Sequence, residues 1–308
     1  MERMSVPPTP TSTAPGPPTA AIAAGTTLGA VSLAVSDLGR SRAFYETVLG
    51  LRGQELEDGG VAFGAADAAG PMRVLVRLYG DAAAPALDRS ATGLYHLAIL
   101  LPTRADLGHA LIRLAETRWP LDGASDHLVS EALYLADPDG NGIEIYRDRA
   151  REEWRYDGAR LEMATLALDL RSIIAELGPD PAPQPTVPAA TAIGHVHLQV
   201  ADIDAAEAFY HGVLGFDVTV RGYPGALFVS AGGYHHHLGL NTWHSRGSDP
   251  AAAGAVGLRS YEVLLPDVTE RDRVLARVRA AGLTADTDPS GAAAVHDPSG
   301  NLVVLRCQ

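Results

Sequence analysis

Residues 125–146 read SDHLVSEALYLADPDGNGIEIY. A turn of Asp137, Pro138, Asp139 and Gly140 leads into a carboxylate, Glu144, set between Ile143 and Ile145 on what reads as a strand. The charge points where a core residue is expected, and a charge there needs a partner. A second concentration of chemistry is GGYHHHLGLNTWH at 232–244. Imidazoles titrate near neutral pH, so they can move protons or hold a metal. Read as a strand, this run sends His236 to one face and His235 with His237 to the other, so the neighbouring rings cannot easily share one ion. The single cysteine, Cys307, leaves no internal disulfide framework or thiolate cluster within one chain. Any metal must be held by His and carboxylate.

The elements that position these residues repeat along the chain. VSDLGRSRAFYETVLGL at 35–51 returns as VADIDAAEAFYHGVLGF at 200–216, and GLYHLAILLPT at 93–103 returns as GLRSYEVLLPD at 257–267. Each member of the second pair is followed by a DP-x-G-N turn, so the chain holds four units. Each unit opens on an alternating β-branched and aliphatic run, breaks, and continues as an amphipathic helix. In the second unit Thr103 is placed to cap a helix whose Leu107, Leu111, Leu114 and Ala115 share one face. Strands follow, clearest in EALYLAD and NGIEIYR. The unit reads βαβββ, in the α+β class, and its curved sheet leaves a concave face open. Two units must combine to enclose anything, and four give two cups. The predicted divisions are a disordered Pro/Thr/Ala-rich tail at 1–25 and units at 26–90, 91–150, 191–250 and 251–308. A connector ending in a helix and a Pro-rich linker (GPDPAPQPTVP) occupy 151–190. His109 and His211 fall in helical segments and read as solvated.

With 308 residues, 46% hydrophobic and 20% charged, the chain can build two cores of ordinary size. It lacks an apolar run of the roughly 18 residues that cross a membrane and lacks a secretory signal at its start, which predicts a cytoplasmic protein with no membrane partner. A formal charge of -13 disfavours nucleic acid and anionic lipid, pointing to a small-molecule or protein partner. Exposed unit edges suggest a homo-oligomer.

The AFY-x-x-VLG helix ends, the GH-x-H strand opening at 194–197 and the DPDGN-x-x-E ending resemble the vicinal oxygen chelate superfamily, which includes glyoxalases, extradiol dioxygenases and bleomycin-resistance proteins. The likeness covers about residues 28–147 and 193–306. The four-unit chain most resembles the catechol 2,3-dioxygenase group of type I extradiol enzymes. The resemblance implies βαβββ modules paired into two open curved-sheet barrels. The repeat puts Ala30, His96, His195 and Ser260 at the position where this superfamily binds metal, and Glu144 and Val304 at the corresponding place on the last strand. Pairing consecutive units gives two incomplete sites. Pairing the second with the third unites His96, His195 and Glu144, the facial triad of non-haem Fe(II) oxygenases, with Mn(II) as the alternative ion.

His127, Leu133-Tyr134, Asp137-Pro138, Gly140 and Glu144 also resemble the extradiol signature, departing from it at Ser125, where the pattern prefers Gly, Asn, Thr, Ile or Val. By resemblance Tyr134 would hydrogen-bond the substrate or bound oxygen, His127 would be a donor at the pocket wall, and His236 would be the acid and base. His197, His235, Asn241 and Trp243 are expected to contact substrate. The implied activity is Fe(II)-dependent ring cleavage of a small aromatic diol by O2. Two alternatives stand beside it. A glyoxalase-type lyase or isomerase would usually add a fourth protein ligand, and a binding or resistance protein would sequester an aromatic compound without turnover.

Overall fold

The computed structural model describes residues 21–308 apart from 67–69, 159 and 183. Each unit is one strand, one helix and three strands. The first comprises β1 (Thr27–Val35), α1 (Leu38–Thr47), β2 (Arg52–Glu55), β3 (Val61–Ala65) and β4 (Arg73–Gly80). The second comprises β5 (Gly93–Leu100), α2 (Arg104–Thr117), β6 (Gly123–Asp126), β7 (Ser130–Ala136) and β8 (Gly142–Asp148). The connector holds a small hairpin, β9 (Tyr156–Asp157) and β10 (Arg160–Leu161), then β11 (Leu166–Ala167) and a short α3 (Leu170–Ala175). The third unit comprises β12 (Ala192–Gln199), α4 (Ile203–Glu207) with a π-helical continuation at Ala208–Val213, β13 (Asp217–Val220), β14 (Ala226–Ser230) and β15 (Leu238–Asn241). The fourth comprises β16 (Gly257–Leu265), α5 (Val268–Ala280), β17 (Asp286–Thr287), β18 (Ala293–His296) and β19 (Leu302–Cys307).

The break after each opening strand supplies a helix cap. Asp37, Thr103, Asp202 and Asp267 each accept the backbone N–H three residues on, and Thr103 forms a reciprocal capping box with Asp106. Such a cap stabilises a helix by about 1 kcal/mol.

The sheets join units out of chain order. One runs β17-β18-β19-β16-β1-β4-β3-β2, uniting units four and one; the other runs β11-β6-β7-β8-β5-β12-β15-β14-β13, uniting units two and three. The joins are antiparallel ladders, β1 with β16 and β5 with β12. One continuous apolar core, with Leu97, Ile143, Val196, Leu33 and Val263 in it, serves both sheets. Among the described residues no helix is long and apolar enough to cross a membrane.

The helices, by contrast, tie neighbours in sequence. Tyr45 of α1 hydrogen-bonds Asp137 in the turn of unit two at 3.3 Å, and Tyr210 of unit three bonds Asp297 in the turn of unit four at 2.8 Å. Each of these aspartates also accepts three bonds within its own turn, from Asp139 N–H, Asn141 N–H and the Asn141 amide, or from Ser299 N–H, Asn301 N–H and the Asn301 amide. Buried Arg113 of α2 donates to the carbonyls of Val48 and Leu49 past the end of α1, and Arg277 of α5 donates to those of Val213 and Leu214. The repeated AFY and DP sequences are thus two halves of one contact, made twice.

Two expectations are corrected. The tail predicted over 1–25 lies outside the described residues only as far as residue 20. Ile22 is 5% exposed within the core and donates its N–H to Gly215, because the folded units leave an apolar seat that offsets the cost of ordering it. His211 is buried rather than solvated, with Nδ1 at 2.7 Å from the Phe216 carbonyl.

Tyr210→Phe should lower stability by about 1–3 kcal/mol in urea unfolding, since it strips a donor from buried Asp297 and an acceptor from the Tyr261 hydroxyl. An unchanged midpoint would show that this tie between units three and four contributes nothing.

Candidate metal centre and cavity

The ladder register explains how Glu144 is partnered. Across the sheet Tyr134, Glu144, Ala98 and His195 form one row, paired in turn through β7, β8, β5 and β12. Ala98 is small, so the side chains either side of it can approach above its methyl. His96 lies two residues back on β5, on the same face. The His96 and His195 Nε2 atoms each stand 3.0 Å from Glu144 Oε2, and 3.4 Å from one another. All three residues are buried, Glu144 to 2% exposure. Burial alone would raise the Glu144 carboxyl, but the imidazoles of His195 and His96 outweigh it and hold it well below the usual carboxylate range.

Whether a metal fits can be judged on these atoms. Two imidazole nitrogens and a carboxylate oxygen at mutual separations of 3.0–3.4 Å match the edges of a coordination polyhedron with bonds of about 2.1 Å. The second oxygen, Glu144 Oε1, is buried without a hydrogen-bond partner, an atom that a cation would satisfy. Among the described residues these three form the group that could hold an ion. The donor set fits.

The triad stands at the base of a cavity of about 630 Å³. Tyr95, Met163, Val220, Tyr223, Phe228 and Trp243 supply aromatic and apolar wall, while His127, Tyr134, His197 and His236 supply polar atoms. The connector also reaches this cavity, through Met163, Ala164 and Thr165. A second depression, of about 730 Å³, lies between the sheets and contains none of the triad.

One polar pair is oriented from behind. His127 Nδ1 is 2.7 Å from the Ala164 carbonyl, which can only accept, so Nδ1 carries the proton; Nε2, 2.7 Å from the Tyr134 hydroxyl, accepts. Tyr134 therefore gives its proton to His127 and turns oxygen lone pairs to the cavity. Burial, then the Glu144 carboxylate, raises the Tyr134 phenol well above its ordinary value, keeping it neutral. His197 sits over Gly239, where an added Cβ would fall 2.8 Å from the ring, and its buried Nε2 has no protein partner. Burial, then His96 and His195, pushes His197 well below the ordinary imidazole value. Burial, then His195 and His235, does the same to His236, whose ring centre lies 4.2 Å from that of His195.

Three sequence expectations change. The triple histidine lies in the loop between β14 and β15, not on a strand. His235 does not line the cavity: it is wholly buried behind His236, against the rings of Tyr234 and Trp154. Asn241 is also wholly buried away from the cavity, and its side-chain oxygen accepts the backbone N–H of Trp243. Loop geometry, which strand alternation cannot supply, decides the first two. The sequence reading missed Tyr95, Tyr223, Phe228 and Asp148. For Asp148 a signal existed, since a two-residue period puts it on the same face of β8 as Glu144.

The model of the glyoxalase/bleomycin resistance protein/dioxygenase superfamily matches residues 27–145 and 192–305. The chain belongs to this superfamily. Within it, the chain is 45% identical over 277 residues, 89% of its length and 94% of the relative's, to a protein of Bacillus subtilis (strain 168) named catechol-2,3-dioxygenase. Among solved structures, one from Bacillus subtilis named provisionally as a dioxygenase has a TM-score of 0.63 at 15% identity, covering 94% of this chain and 86% of that one. Glyoxalase I from Zea mays has a TM-score of 0.55 at 16% identity, covering 91% and 92%. These two likenesses show the superfamily fold.

His237 gives a test of the buried histidine cluster. Burial, then His235 and His195, pushes it down to about 4, and its Nδ1 accepts from the Ala231 N–H. The unfolded chain takes up this proton below about 6.5, the folded chain only near 4, so stability is full above 6.5 and falls as the pH drops through that window. With a chelator present, His237→Asn should reduce the slope of unfolding free energy between pH 6 and 4.5 by about 1.4 kcal/mol per pH unit. A slope equal to that of the unsubstituted protein would refute the burial of a neutral His237.

Proposed function

We propose that the protein is an extradiol ring-cleaving dioxygenase: it holds Fe(II), with Mn(II) as the alternative ion, on His96, His195 and Glu144, and cleaves a catechol-type ring with O2. One observation carries the reading. Two imidazoles and one carboxylate converge at the base of an aromatic-walled cavity, in a chain 45% identical to a relative named catechol-2,3-dioxygenase. Three protein ligands on one face leave room for both diol oxygens and O2 on the other, and the bound ion would supply the electronic link between diol and O2. With two neutral imidazoles and one carboxylate, a divalent ion keeps one positive charge, which suits an anionic diolate.

The remaining work belongs to the side chains. Tyr95, Phe228 and Trp243 give a flat ring apolar surfaces to lie against. His236 is the base that removes a hydroxyl proton and returns one to the product, and burial keeps its imidazole neutral and ready to accept. The Tyr134 oxygen, its own proton committed to His127, accepts a hydrogen bond from the substrate. His197 offers a buried nitrogen beside His96, and Trp243 closes the wall.

The glyoxalase-type alternative usually has a fourth protein ligand, and the convergent group among the described residues is three. Sequestration without turnover gives no reason for a triad.

Two measurements test the proposal. Protein loaded anaerobically with Fe(II) should retain about one ion per chain, and His96→Ala, His195→Ala and Glu144→Ala should each lose it; retention by all three variants would rule this centre out. On addition of catechol and then O2, the loaded protein should give a yellow ring-cleavage product, and His236→Ala should lower kcat roughly 10²–10⁴-fold while keeping its iron. Colourless diol persisting across a series of substituted catechols, with turnover of a hemithioacetal instead, would move the assignment to the lyase branch.

A further inference from the structure

We propose that Asp148 and His235 are positioning residues that lock the tautomer of His236, so that the cavity is offered a lone pair on His236 Nε2 and not an N–H. Behind the cavity wall lies an unbroken chain of contacts. His236 Nδ1 is 2.8 Å from His235 Nδ1, and His235 Nε2 is 2.8 Å from Asp148 Oδ1. The other carboxylate oxygen accepts the Tyr234 hydroxyl at 2.9 Å, and the Tyr234 oxygen is 2.7 Å from the Tyr146 hydroxyl.

With each imidazole neutral, one arrangement of protons satisfies every contact. A carboxylate only accepts, so His235 carries its proton on Nε2. Its Nδ1 is then a lone pair, which needs a donor, and His236 Nδ1–H is that donor. The remaining His236 nitrogen, Nε2, is left unprotonated on a ring that lines the cavity. Asp148 thus sets the sense of the chain from its outer end, where its side chain is 24% exposed. The logic is that of a carboxylate holding a catalytic imidazole in one tautomer, with a second imidazole interposed.

The surroundings keep the chain rigid. His235 is wholly buried, its ring centre 4.0 Å from that of Tyr234 and 5.5 Å from that of Trp154, so it cannot swing to another partner. Tyr146 reaches Tyr234 only because residue 194 is glycine: a Cβ there would fall 1.7 Å from the Tyr146 hydroxyl. The glycine of the GH-x-H opening therefore serves this network as well as the strand.

The catalytic consequence rests on the dioxygenase reading; the tautomer does not. Protein labelled with 15N-histidine and loaded with diamagnetic Zn(II) should show, by long-range 1H–15N NMR, His236 protonated on Nδ1 and His235 on Nε2. Asp148→Asn can turn its amide N–H toward His235 and reverse the chain, moving the His236 proton to Nε2. His235→Gln, which donates its amide to Asp148 and accepts from His236, should keep His236 protonated on Nδ1. An Nε2-protonated His236 in the unsubstituted protein overturns the proposal even if neither variant folds, as does a His236 tautomer unmoved by Asp148→Asn. In the Fe(II)-loaded protein Asp148→Asn should lower kcat on catechol about 10²–10⁴-fold with KM changed less than about threefold. A loss confined to KM overturns the positioning role. If the expected tautomers are found but no diol is cleaved, the lock stands and the dioxygenase reading falls.

Discussion

Everything at the candidate site depends on the antiparallel ladder between β5 and β12. It joins strands on opposite sides of the Pro-rich linker and sets His195 against Ala98, which in turn pairs with Glu144. A slip of one residue would send His195 to the opposite face of the sheet and leave a carboxylate buried without its imidazoles. A buried unpaired charge is among the costliest features a fold can carry, so the register and the triad enforce each other.

The sister ladder between β1 and β16 shows the same geometry without the chemistry. Ala30, Ser260 and Val304 occupy the equivalent places, and no imidazole stands there. Glu262, at the position matching Ala98, accepts the Ala30 N–H and pairs with Arg77 at 3.0 Å and Arg306 at 3.4 Å. An ion-pair cluster fills the space that the other sheet gives to the triad. Both sheets bury a carboxylate at their middle; they differ in whether arginines or imidazoles answer it. Arginine is a fixed cation, whereas neutral imidazole is a ligand, and this difference makes one cup structural and the other a candidate site.

Around the triad the histidines divide by the hydrogen bonds behind them. His127 is held by a backbone carbonyl and His235 by a carboxylate, each of which dictates where a proton sits two bonds further in. His197 has no such support and is left with a free nitrogen. Burial keeps His195, His197 and His236 below the ordinary imidazole value, so the cavity gathers several bases without gathering positive charge.

Much of this was legible in the linear sequence, because it depends on local period and repetition. The four βαβββ units, the helix caps such as Thr103 and the turn ending in Glu144 follow from patterns that repeat or alternate along the chain, whereas a site shared by His96 and His195 was implied only by the family resemblance. Contacts made by irregular backbone were not legible. The Tyr–His–His–His run reads as a strand by composition, yet folds as a loop that hides His235 and presents His236, because the register of β14 with β15 begins only at Leu238. Ile22 lies in a stretch whose composition signals disorder, and is ordered by a seat that exists only once other units have folded. The sequence by itself determined which atoms could bind an ion or carry a proton. Only the tertiary structure decided which of them meet and which way each imidazole faces, since both depend on partners distant along the chain, such as Asp148 behind His235.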